Sequence, residues 1–131
     1  MIFVDTSALI AVLDADERNH AGAVATWDHL LTDREVLITT NYVVVETMCL
    51  VQRRFGLAAL RRFLADLVPL LAVEWITPDL HCAATAAVVT AGMRDLSVVD
   101  GTSFEVIRHK GIERAFTFDR HFADQGFEVV P

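Results

Sequence analysis

Residues 1–13 read MIFVDTSALIAVL. Met1 to Val4 is a short apolar run that stops at Asp5, the pattern of a buried strand meeting its first polar residue. Thr6 and Ser7 are good helix N-cap types, and the apolar ALIAVL behind them reads as a helix. Strand, acid, cap and helix in immediate succession are the opening of an α/β fold. Asp14, Asp16 and Glu17 form a charged stop to that first helix.

The pattern repeats downstream. Val24, Trp27, Leu30 and Leu31 recur at helical spacing within 21–31, and Glu35 to Thr39 reads as a second strand. Asn41 caps a helix running through YVVVETMCLVQRRF to Gly56, whose first half is apolar on nearly every side and is expected to be deeply buried. A further helix from Leu57 places Leu60, Phe63, Leu64, Leu67 and Val68 on one face, and Pro69 ends or kinks it. Ala72 to Ile76 is a third strand. Thr77 and Pro78 start an Ala-rich helix that ends near Gly92. Asp95 to Val99 leads to Asp100, a helix follows over 101–110 and stops at Gly111, and Ile112 to Phe118 is a strand ending at Asp119. Phe127 to Val130 closes the chain as a fifth strand. Strands alternating with helices predict a parallel sheet covered on both faces. The 131 residues fit one domain, 1–131.

The chain is 53 % hydrophobic, yet its apolar stretches are broken by charge before membrane-spanning length. The N-terminus lacks the basic start of a signal peptide and carries Asp5 inside its apolar part. A cytoplasmic protein is the expectation, with Cys49 and Cys82 as reduced, buried thiols. Eleven basic and eighteen acidic residues give a net charge of −7. Taken alone, that argues against contact with phosphates. Carboxylates that bind cations reverse the local sign.

Ligands of open α/β sheets bind beyond the carboxyl ends of the strands. Asp5 and Asp119 fall there, and Asp100 follows the apolar SVV. Glu46 lies within the apolar VVVETMCLV, where an ionised carboxylate is costly without a partner. Arg53 and Arg54 are two turns away, so a protonated Glu46 or a facing cation are the simpler solutions. Each aspartate has an ordinary use: Asp5 and Asp100 as helix caps, Asp119 as the start of a turn. Capping does not explain Glu46. Four hard carboxylate donors suit Mg²⁺, with Mn²⁺ as an alternative. No HExxH and no cysteine pair supports zinc, and only His121, just after Asp119, stays open as a site histidine. Carboxylate-held divalent ions suit displacement at phosphorus by water. No Gly-rich phosphate loop is present.

At these residues the chain resembles the PIN-domain family, in its VapC-type toxin branch. IFVDTSALIAVL resembles the first family motif, NYVVVETMCLV the second, and LSVVDGTSFEVIRHKGIERAFTFDRHFADQGFEVVP the closing portion. The resemblance covers the whole chain. It implies a three-layer α/β/α sandwich around a five-stranded parallel sheet. It also implies Mg²⁺- or Mn²⁺-dependent RNA cleavage leaving a 5′-phosphate and a 3′-hydroxyl. Asp5, Glu46, Asp100 and Asp119 match the acidic quartet. Thr6 or Ser7 resembles the hydroxyl residue that positions water or metal, and Ser103 is a supporting donor. The branch implies a homodimer, an RNA substrate and a cognate antitoxin, with no membrane.

Other readings are simpler. Asp95 suits a helix cap, Arg120 is either a phosphate contact or a solvated charge, and Arg53, Arg54, Arg61 and Arg62 form a solvated helix face or guide RNA. Trp27 and Trp75 suit core or interface. A catalytically silent module of the same fold, one that dimerises or sequesters a partner, is the alternative function. A receiver domain needs an acidic pair after the first strand, and a haloacid-dehalogenase phosphatase needs Asp-x-Asp; Asp5-Thr6-Ser7 provides neither.

Overall fold

The centre of the sheet is the apolar run that opens the chain. In the computed structural model, which describes residues 1–131, β1 (Ile2–Val4) lies between β2 (Leu37–Thr40) and β4 (Arg114–Phe116). The sheet runs β3-β2-β1-β4-β5 and is parallel throughout, with β3 at Ala72–Glu74 and β5 at Glu128–Val130. Ile2, Phe3 and Val4 all have 0 % exposure. Successive strand side chains point to opposite faces, so both faces of the sheet are covered and the architecture is three-layered.

Seven helices supply the cover: α1 (Thr6–Leu13), α2 (His20–Thr32), α3 (Asn41–Phe55), α4 (Leu57–Arg62), α5 (Pro78–Ala91), α6 (Val98–Lys110) and α7 (Arg120–Asp124). The strand order reverses direction at β1, between β2 and β4. That is the place where open α/β sheets leave a crevice for ligands. Phe116 and Asp5 are joined there, the Asp5 N–H donating to the Phe116 carbonyl over 3.1 Å.

Several local expectations need correction. The cap of α1 is Asp5 itself, and Thr6 is the first helical residue. Thr40, not Asn41, caps α3; the Asn41 side chain instead accepts from the Ile76 N–H at 2.8 Å. The apolar first half of α3 is not deeply buried. Only Val43, Thr47 and Val51 are, and Val45 is 55 % exposed, because α3 packs on one side alone. The helix from Leu57 does end at Pro69 as expected, but by way of a π turn (Phe63–Leu67) and a 3₁₀ turn (Val68–Leu70). Helix α6 begins at Val98 rather than after Asp100, with Ser97 as its cap, so Asp95 does not cap it. Both cysteines are free but exposed. Trp27 is in the core, whereas Trp75 is 74 % exposed. Gly111 ends α6 in the left-handed conformation, as its position predicts.

Two packing features hold the site's elements in place. Phe122 of α7 is fully buried, its ring centroid 5.0 Å from that of Phe104 and 6.2 Å from that of Phe3. It ties a five-residue helix to the core. On the other side, α5 crosses α6 so closely at Gly101 that a Cβ there would lie 2.5 Å from Val88 Cγ2. Gly101→Val is therefore expected to lower stability by about 1–3 kcal/mol, the usual cost of overpacking. Urea unfolding measures the loss, and Val88→Ala in the same chain should recover part of it.

Candidate metal centre

Three of the four acids stand where a helix begins. Asp5 caps α1, Asp100 lies in the first turn of α6, and Asp119 caps α7. Those positions expose backbone N–H groups, which the carboxylates use. Glu46 comes from the second turn of α3, which starts at the carboxyl end of β2. Fold topology brings all four to one cleft of about 540 Å³, which Thr6 and Ser7 also line.

Each carboxylate has one oxygen tied down and one left free. Asp5 Oδ2 accepts from the Ser7 N–H (3.2 Å), the Ser7 hydroxyl (2.7 Å) and the Thr117 hydroxyl (3.1 Å). Asp100 Oδ2 accepts from the Ser97 N–H at 3.1 Å, while the Asp100 N–H donates to Ser97 Oγ at 3.0 Å, closing a capping box. Asp119 Oδ1 accepts from the His121 N–H at 2.9 Å, with His121 Nδ1 at 2.8 Å. Glu46 Oε2 accepts from the Thr6 hydroxyl at 3.3 Å. The other oxygen of each acid has no protein partner, and none is sealed away: the only buried side-chain polar atom without a hydrogen bond is His121 Nε2.

The electrostatics follow from this crowding. Burial pushes the Asp5 carboxyl above its ordinary value, and the charge of Asp100 adds to it against the pull of the Ser7 and Thr117 hydrogen bonds. Burial also raises Glu46, helped by the charges of Asp5, Asp100 and Asp119. Asp100 is raised by burial and then by Asp119, against the Ser97 N–H. Burial works against a charged His121, but the hydrogen bond and charge of Asp119, with the charges of Asp95 and Asp100, outweigh it and raise its pKa. The cleft is therefore short of positive charge. Carboxylates from four elements lining one cleft suit a hard divalent cation. Asp100, Asp119 and His121 each offer a donor atom within 4.8 Å of one another.

The remaining residues sort by geometry. Ser103 does not reach the acids: its hydroxyl donates to the Val99 carbonyl at 2.9 Å and it does not line the cleft. Arg120 is exposed and pairs with Asp95 at 3.4 Å. Of the helical arginine cluster, only Arg54 lines the cleft, where it is joined by Arg18 from the turn before α2. Nothing in the sequence around Thr117 marks it as a site residue. Its link to Asp5 exists only because β4 lies beside β1.

A PIN-domain model matches residues 2–128. The chain is 40 % identical over 133 residues to the 23S rRNA-specific endonuclease VapC20 of Mycobacterium tuberculosis strain H37Rv, covering 100 % of this chain and 99 % of that protein. The crystal structure of VapC20 from that species, a sarcin-ricin loop cleaving toxin, superposes with a TM-score of 0.88 at 39 % identity over 100 % of both chains. FitAcB from Neisseria gonorrhoeae shares the fold alone, with a TM-score of 0.72 at 17 % identity over 100 % of this chain and 97 % of that one. No helix is long and apolar enough to cross a membrane.

The raised carboxyl groups have a consequence without metal. A group whose folded pKa lies above its unfolded value adds stability below the unfolded pKa and loses it as pH rises through the folded one. In EDTA, Glu46→Gln should therefore melt above wild type at pH 7, and the gap should close as pH falls toward about 4, near the ordinary carboxylate value. Differential scanning fluorimetry reads it; a gap independent of pH is the contrary result.

Proposed function

The chain belongs to the PIN-domain family, in its VapC-type branch of toxin endoribonucleases, and we propose that Asp5, Glu46, Asp100 and Asp119 are its metal ligands and catalytic centre, with Mg²⁺ as the working ion and Mn²⁺ as a substitute. The observation that carries this is the half-tied carboxylate: four acids from four elements, each with one oxygen hydrogen-bonded within the protein and the other uncommitted, all lining one cleft. Such preorganisation places ligands without further ordering on binding.

The chemistry such an ion supplies when bound is Lewis acidity, which acidifies water and offsets charge on a phosphodiester. The chain's own residues do the rest. Asp5 and Asp119 hold fixed ligand positions at the ends of adjacent strands. Ser7 and Thr117 orient Asp5 from behind, and Thr6 orients Glu46. Arg18 and Arg54 are exposed, make no ion pair, and are the only cationic side chains lining the cleft. Their guanidinium groups suit RNA phosphates on either side of the cut. Cleavage leaves a 5′-phosphate and a 3′-hydroxyl.

Full-length similarity to a 23S rRNA endonuclease supports a structured ribosomal RNA loop as substrate, and hence action in the cytoplasm. We read residues 1–131 as one domain. The exposed apolar side chains Val45, Phe55, Leu57, Leu64 and Trp75 support two protein contacts, a homodimer and a cognate antitoxin. A silent binding module has no need of four free carboxylate oxygens in one cleft.

Cleavage of a ribosomal RNA hairpin in Mg²⁺, with EDTA as control, tests the assignment. Asp100→Asn and Glu46→Gln should lower the rate by roughly 10²–10³-fold, the scale of losing one electrostatic stabiliser of the transition state. A variant that cuts like wild type removes that residue from the centre. Arg54→Ala should instead raise KM with kcat little changed and reduce the salt dependence of RNA binding by about 1 in slope. An unaltered slope is the contrary result.

A further inference from the structure

His121 does not line the cleft and is not one of the four proposed ligands, although a ring nitrogen lies within 4.8 Å of donor atoms of Asp100 and Asp119. It is 7 % exposed, and its neighbour Phe122 is held among Phe3, Phe104 and Phe127. Both its backbone N–H and its ring Nδ1 meet the same atom, Asp119 Oδ1. That atom is a carboxylate acceptor, so Nδ1 carries the hydrogen between them. Capping α7 requires only the backbone bond. The ring bond adds a second fixed direction, which holds the plane of the carboxylate and leaves Oδ2 as its one uncommitted oxygen. On the far side of the ring, Nε2 lies 3.2 Å from Asp95 Oδ2, out of hydrogen-bond geometry. Asp95 in turn lines the cleft and pairs with Arg120. The imidazole is thus wedged between two carboxylates on a short helix anchored in the core.

We infer that His121 is a positioning residue of the nuclease: its Nδ1 fixes the orientation of Asp119 so that Oδ2 is presented to the divalent ion. The inference rests on Asp119 being a ligand. His121 acts through Asp119 and touches neither ion nor RNA. Its effect belongs to metal binding first and to turnover as a consequence.

The test compares Mn²⁺ binding, read from the electron paramagnetic resonance signal of free ion, in wild type, His121→Asn and His121→Gln. The Asn amide nitrogen takes the place of ring Nδ1, whereas Gln carries its amide out to the place of Nε2. His121→Asn should keep wild-type Mn²⁺ affinity. His121→Gln should lose roughly 10–100-fold, the usual effect of removing a group that orients a metal ligand, with KM for RNA unchanged and a cooperative melt retained. If His121→Gln does not fold, His121→Leu replaces it with the same expectation. Equal affinity in all three proteins overturns the positioning role alone. Equal loss in both variants overturns it as well, because the imidazole itself would then be the ligand. A wild type that takes up no Mn²⁺ overturns the assignment of Asp119 along with it.

Discussion

Repulsion among four carboxylates gathered at the carboxyl edge of a parallel sheet is the constraint around which this molecule is organised. Neighbouring like charges favour protonation, and burial strengthens the effect. The chain answers it with hydrogen-bond donors, and only Asp119 has a basic side chain, His121, against it. Asp5, Asp100 and Asp119 sit on helix starts, where backbone N–H groups are in excess, and Glu46 leans on a hydroxyl. Every one of these donors occupies a single oxygen. The four acids are thereby fixed in place without being neutralised, which is the condition a cation site requires. The two cleft arginines stay unpaired at its rim instead of collapsing onto the acids.

The sheet order explains why residues so far apart in sequence meet. With β1 central, Asp5 leaves the sheet between β2 and β4. β2 feeds α3 and hence Glu46, and β4 feeds the turn that carries Thr117 and Asp119. Asp100 arrives on α6, whose close crossing with α5 at Gly101 sets its depth. Phe122 does the same for α7. Core packing thus holds the elements that carry the acids.

Much of this was legible in the chain itself. An apolar run ending in an acid marks β1 and Asp5, and an acid inside an apolar helix marks Glu46. The start of α6 is also readable, since Ser97-Val98-Val99-Asp100 is a serine-x-x-acid capping pattern, which puts the first helical residue at Val98 rather than Gly101. Other features depend on tertiary structure. The apolar face of α3 reads identically whether the core or another protein covers it, and Val45, 55 % exposed, belongs to the uncovered part. Thr117 looks like any strand residue until β4 is set beside β1. Ser103, three residues after Asp100, satisfies its own helix instead of the site. The direction of His121 is decided by a helix of five residues whose only apolar anchor of note is Phe122.

The central claim is spatial: one cation locus exists where four half-bonded carboxylates converge. Anomalous X-ray scattering from crystals of the protein grown with Mn²⁺ addresses it directly. A peak within coordination distance of the free oxygens of Asp5, Glu46, Asp100 and Asp119 is the result expected. A cleft with no peak at saturating Mn²⁺, or a peak coordinated by other residues, contradicts it.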